Sequence, residues 1–162
     1  MSAPYRSPWM TEELDAFRDQ FRRFLARDLA PHAEKWRQSK IVDRAAWRAL
    51  GDIGALLPSV PEAYGGQGTS FAYDAAVIED LENVVSELAT GYSVHSTIVA
   101  HYILRYGSEE QKQRWLPKLA TGEWVGAIAM TEPGTGSVIA IAPTHSPVAS
   151  FGSQRCFCSS EP

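Results

Sequence analysis

The chain has 162 residues, 44% of them hydrophobic and 21% charged, with a formal net charge of −4. That is enough apolar material for one packed domain, or one domain with part of another, and it excludes general disorder. A net negative chain with no clustered basic face also excludes nucleic acid as the expected partner, because a phosphate backbone is neutralised by grouped Lys and Arg.

The first ten residues, MSAPYRSPWM, hold neither the apolar core of a secretory signal nor an Arg-rich transit pattern, so cytoplasmic residence is expected. No apolar run approaches the ~18 residues that cross a bilayer. Thr11 followed by Glu12 and Glu13 reads as a helix start, a hydroxyl cap with acids at the positive end of the helix dipole. Leu14, Phe17, Phe21, Phe24 and Leu25 recur every three or four residues and predict an aromatic-rich stripe facing the core. Arg22, Arg23 and Arg27, interrupted by Asp19 and Asp28, read as a solvated helix face. Pro31 ends this helix and opens the next, where Ala33 and Trp36 share a face with the stem of Lys40. Asp43 is the expected cap of a third helix carrying Ala46, Trp47 and Leu50 and ending at Gly51.

GALLPSVPEAYGGQGTS has two prolines and four glycines in seventeen residues, which predicts an irregular connector. Thr69 or Ser70 can cap a fourth helix with Ala75, Ile78, Leu81 and Val85 inward and Gly91 at its end. A fifth helix is expected over 93–106, showing Val94, Ile98, Tyr102 and Leu104 or Arg105 on successive turns and stopped by Gly107. SEEQ at 108–111 is a capping-box signature for a sixth, which Pro117 bends or restarts before Gly122. From Trp124 to Met130 the apolar residues are nearly continuous, which predicts a buried strand. A lone strand leaves its N–H and C=O groups unpaired, so the β segment is incomplete. The remainder is rich in Ser and Pro and expected to be poorly ordered. Its Cys156 and Cys158 are the only cysteines, with no partners for a disulfide framework or a zinc pair.

The strand stops in TEPGTGS. Pro133-Gly134 is a strong type II turn signal, and Gly136 lets a backbone come close to a ligand while Thr131, Thr135 and Ser137 add hydroxyls. Such a cradle can hold a pyrophosphate or a polar ring edge, and an ordinary turn looks much the same. It is neither a Walker loop nor a GxGxxG fingerprint. No catalytic constellation stands elsewhere: His95 and His101 lie on faces of one helix too far apart to share a metal and read as satisfied or surface histidines.

GAIAMTEPGTGS resembles the flavin-contacting signature of acyl-CoA dehydrogenases. PSVPEAYGGQG resembles that family's loop after the third helix, and YGSEEQKQRWLPKLATGE the helix before its first strand. The likeness runs from about Thr11 to Ser137, and SVHSTIVAHYI with the glycine motif looks most like the long-chain branch. The fold class expected is mainly α: a six-helix amino-terminal domain over 1–123, the start of a flavin-binding β domain over 124–137, and a divergent tail over 138–162.

The resemblance implies FAD as cofactor. Ile128 and Met130 would present backbone groups along the flavin ring, Thr131 would offer a hydroxyl and N–H at its polar edge, and Gly136 would let FAD approach. Ser137 would contact the cofactor and lie beside the CoA thioester of a fatty acyl-CoA substrate. The implied reaction is α,β-dehydrogenation, with electrons passed to an electron-transfer flavoprotein and a homo-oligomer as the family's assembly. Two departures stand against it. Val138 occupies the place where the family carries Asp, and the likeness ends there, as a shifted or alternatively ended reading frame would make it; the family's catalytic glutamate lies in a carboxy-terminal domain with no counterpart here. No catalytic residue is therefore assigned, Glu132 included, and the expectation is an amino-terminal fragment inactive by itself. The alternative is a non-catalytic helical module that binds a partner.

Overall fold

The computed structural model describes residues 7–129, 148–151 and 154–159. Six helical rods form one hydrophobic core, in agreement with the mainly α expectation. The first, α1 (Glu12–Phe24), begins where Thr11 Oγ1 accepts the Leu14 N–H at 3.1 Å. It passes through a π turn at Leu25–Leu29 and a 3-10 turn at Ala30–His32, which absorb Pro31, into α2 (Ala33–Ser39). Lys40 does not lay its stem along α2; it ends the helix in the left-handed region at φ 58 and is exposed. Asp43 occupies the N-cap position of α3 (Arg44–Asp52) without bonding that helix's N–H groups. Its carboxylate instead takes Lys35 Nζ at 2.7 Å and Trp36 Nε1 at 3.0 Å, tying α3 back to α2.

The glycine-rich connector is also part of the core. Ala55, Leu56, Leu57 and Val60 are fully buried. Irregular backbone is stable inside only when its polar groups find partners, and here they do. Tyr92 Oη donates to the Ala55 carbonyl at 3.0 Å, Thr69 N–H and Oγ1 both donate to the Pro58 carbonyl, and Gly68 N–H donates to the Val60 carbonyl.

Helix α4 (Phe71–Val84) is rotated so that Asp74, Ala76, Val77, Asp80 and Leu81 are buried, while Ile78, expected inward, packs half-buried on the core and Ala75 is half-buried. Charge pairing explains part of that rotation. Asp80, fully buried, accepts from Arg18 of α1 through Nε at 3.0 Å and Nη2 at 2.6 Å, and from Arg22 Nε at 2.8 Å. Arg22 is thus a tie to α4 rather than part of a free basic face. The next rod is continuous: α5 (Ser86–Tyr92), a π stretch at Ser93–Val99 and α6 (Ala100–Tyr106). Gly91, expected at a helix end, lies inside it, because a Cβ there would stand 3.3 Å from the Trp47 indole. Helix α7 (Glu109–Ala120) has the reciprocal cap at Ser108 and Gln111 and runs through Pro117 without ending.

Strand β1 (Val125–Ala129) follows at the expected place. Two stretches of the tail are strands here, β2 (Val148–Phe151) and β3 (Gln154–Ser159), in antiparallel order β1-β3-β2 with Ala127 opposite Phe157. Both stretches lie in the tail expected above to be poorly ordered, and β1 finds in β3 the backbone partner that a lone strand lacks. Among the described residues, no helix is long and apolar enough to cross a membrane.

Candidate functional site

Everything the sequence assigns to ligand binding lies on or just after β1. Of the expected cofactor residues only Ile128 is among the described ones; it is half-buried and packs on the core. Met130, Thr131, Gly136 and Ser137, and with them the turn and the proposed substrate contact, lie outside the described residues. The geometry that can be read is how β1 is aimed.

Two glycines set its approach. Gly122 has φ +67, and a Cβ on it would collide with the Trp47 carbonyl of α3; a Cβ on Gly51 of α3 would collide with the Thr121 backbone. The end of α3 and the turn after α7 therefore meet backbone to backbone, closer than any side chain allows. The Trp124 N–H then bonds the Lys118 carbonyl at 3.0 Å, and Lys118 Nζ sits 4.7 Å from the centre of the Trp124 ring while pairing with Glu123 at 3.0 Å. Arg44 of α3 donates to the Glu123 carbonyl.

A third device holds the strand from behind. His95, fully buried in the π stretch between α5 and α6, accepts the Gly126 N–H on Nδ1 at 2.9 Å. Its Nε2 stands 3.1 Å from the Leu119 carbonyl of α7, and its ring lies 5.1 Å from that of Trp47. Burial lowers its pKa to about 4, against the pull of the Leu119 carbonyl and with help from the Arg44 charge. Gly126 itself has no room for a side chain, since a Cβ would stand 2.8 Å from Val99. His95 is thus a satisfied histidine, one of the two readings expected, with a job the sequence did not reveal. His101 is half-buried with Nε2 3.1 Å from Ser59 Oγ.

Two concavities among the described residues do not have the character of a flavin site. One, about 670 Å³ beside the turn before β1, is lined by Arg48, Asp52, Thr121 and Glu123, whereas cofactor pockets are mostly apolar. The other, about 210 Å³, runs along α1 between Phe17, Phe24 and Ile53, on other elements than β1. No cluster of His, Cys, Asp and Glu that could hold a metal ion occurs among the described residues.

The described residues thus form an α domain whose last helix delivers, through a locked glycine turn, a strand pinned from behind. Residues 11–123 match the family model of the acyl-CoA dehydrogenase N-terminal domain, and the chain belongs to the acyl-CoA dehydrogenase family. It is 39% identical over 127 residues to the mitochondrial long-chain specific acyl-CoA dehydrogenase of Sus scrofa, covering 78% of this chain and 29% of that protein. It is 38% identical over 130 residues to the mitochondrial isovaleryl-CoA dehydrogenase of Bos taurus, covering 79% and 30%. The near-equal identities do not separate the long-chain branch from the isovaleryl one. Among solved structures it resembles an acyl-CoA dehydrogenase from Geobacillus kaustophilus, with TM-score 0.77, 47% identity, and 82% and 34% of the two chains covered. It also resembles an acyl-CoA dehydrogenase from Bacillus anthracis complexed with FAD, with TM-score 0.72, 30% identity, and 82% and 23% covered. The chain thus spans less than a third of the length of these two curated relatives.

Proposed function

We propose that the chain supplies the helical lobe and the first flavin-facing strand of an FAD-dependent acyl-CoA dehydrogenase acting on a fatty acyl-CoA in β-oxidation. The observation that carries this reading is the anchoring of β1: a strand fixed by His95, Gly122 and Gly51 runs directly into TEPGTGS. When bound, FAD would supply the redox chemistry, as acceptor of the substrate's β hydrogen as hydride while a base takes the α proton. The chain's own part is orientation. Ile128 and Met130 would present backbone along the ring, Thr131 would bond its polar edge, Gly136 would admit the cofactor, and Ser137 would meet both cofactor and thioester. The fit rests on the described part of the strand: Gly126 leaves the helix-facing side without a side chain, and its N–H is already used by His95.

No residue here matches the family's catalytic glutamate, so this polypeptide by itself should show little or no turnover in a dye-reduction assay with long-chain acyl-CoA. Robust activity would overturn that expectation. An electron-transfer flavoprotein as electron acceptor and a homo-oligomeric assembly belong to the same reading. The visible spectrum of the purified chain after addition of FAD tests it. Flavin absorbance that stays with the protein through gel filtration is expected. A colourless, self-associating chain would favour the rival reading as a helical interaction module, which the exposure of Phe71, Tyr102 and Tyr106 also supports.

A further inference from the structure

We infer that His95, as the neutral tautomer with its proton on Nε2, is the positioning residue that sets where the flavin-facing strand stands on the helical lobe. The inference rests on the flavin reading of β1 given above. Its argument begins with the hydrogens. The Gly126 amide has a fixed proton, so the Nδ1 that faces it at 2.9 Å must offer a lone pair. The Leu119 carbonyl has none, so the Nε2 that faces it at 3.1 Å must carry the proton. One ring thus joins three separate pieces of chain: the π stretch that bears it, the last turn of α7 and the second residue of β1.

The surroundings make this a strut rather than an incidental contact. His95 is fully buried, so neither nitrogen has water as a substitute partner. The π stretch in which it sits is closed by the Ala100 N–H reaching back five residues to the His95 carbonyl, a local widening of the helix. Trp47 buttresses the ring at 5.1 Å, and α3, which carries Trp47, also locks the turn before β1 through Gly122. Ile128, the first expected flavin contact, lies two positions along the chain from Gly126, and Thr131 lies five. A shift at the amide is therefore passed on along β1 to Ile128 with little room to be absorbed.

Two substitutions separate the two ends of the strut. His95→Asn places an acceptor oxygen at the δ position and keeps the bond to Gly126 while losing Leu119; His95→Gln places its amide at the ε position and does the reverse. In the full chain, amide exchange at Gly126 should quicken about tenfold or more in His95→Gln, the size of one lost ordinary hydrogen bond, and stay near wild type in His95→Asn. In the unmutated chain, nitrogen NMR should find Nδ1 unprotonated and Nε2 protonated at neutral pH. Equal exchange in both variants, or a proton on Nδ1, overturns the inference whether or not the variants are well folded. FAD titration of the same chains, followed by flavin fluorescence, should rank binding as wild type, then His95→Asn, then His95→Gln. Unchanged FAD affinity in a His95→Gln chain that has lost Gly126 protection overturns the link to the flavin. A wild-type chain that binds no FAD sinks the flavin reading instead, and leaves the exchange data to decide the strut.

Discussion

Asp74 is fully buried, and neither carboxylate oxygen has a hydrogen-bond partner among the described residues. Burial raises its pKa, against the opposing influence of Ser59 and His101, so the charged form is disfavoured inside relative to water. Replacing it by Asn keeps the shape and removes the ionisation. Asp74→Asn should therefore stabilise the chain at pH 7 by about 1 kcal/mol, the scale of relieving one ill-satisfied buried polar group, read as a higher urea midpoint. A lower midpoint would mean that the carboxylate has a partner worth more than its desolvation. Tyr92 stands on the other side of the same ledger of buried polar groups. Its hydroxyl satisfies the Ala55 carbonyl in the buried connector, so Tyr92→Phe should cost about 1–3 kcal/mol in the same measurement.

Elements are joined here where backbone meets backbone. Gly122→Ala would put a Cβ against the Trp47 carbonyl at a left-handed φ of +67, and both effects act in one direction. A loss of more than about 2 kcal/mol is expected, measured by thermal or urea unfolding. Gly91→Ala makes a useful contrast, because it meets only the edge of the Trp47 indole at 3.3 Å in an ordinary helical conformation; its effect should be far smaller. The sequence announces the helices clearly, since caps such as Thr11 and Ser108 and the apolar spacing within α1, α3 and α7 are local properties. What it hides is which polar residues the fold turns inward. A pattern made of apolar residues alone passes over His95 and Ser96, although both are fully buried on the face shared with Tyr92 and Val99. The same blindness places Ala75 inward where Asp74 is, and an irregular connector gives no hint that Ala55–Leu57 and Val60 are fully buried. The glycines misled for a related reason: Gly91 looks like a helix end until Trp47, forty-four positions away, is seen to need its space. For the site, sequence identified the strand and the motif after it, but no local signal connects His95 with Gly126.

Across the whole molecule, two buried groups make stability respond to pH in opposite directions. His95 has a folded pKa of about 4 against an ordinary value near 6.5, so the unfolded chain takes up its proton first as pH falls. Its contribution is complete above pH 6.5 and is lost on the way down to about 4, on the order of 3 kcal/mol over that window. Asp74, with a raised pKa, acts the other way: its contribution is present at pH values below the ordinary carboxylate range and is lost as pH rises through the folded value. Partly exposed carboxylates with lowered pKa values, Asp28, Asp43 and Glu87, weaken the fold only at the acid end of the range and do so in every variant alike. On acidification from pH 7 to pH 4 the wild-type midpoint should therefore fall less than His95 alone demands. The Asp74→Asn chain, which keeps only the histidine, should fall most steeply. The His95→Asn chain, which keeps only the acid, should hold level or gain before the surface carboxylates protonate. Urea titrations at half-unit pH steps would show three diverging curves. Three parallel curves would mean that these two side chains are not protonated as their surroundings require, and the tautomer assigned to the strut at β1 would fall with them.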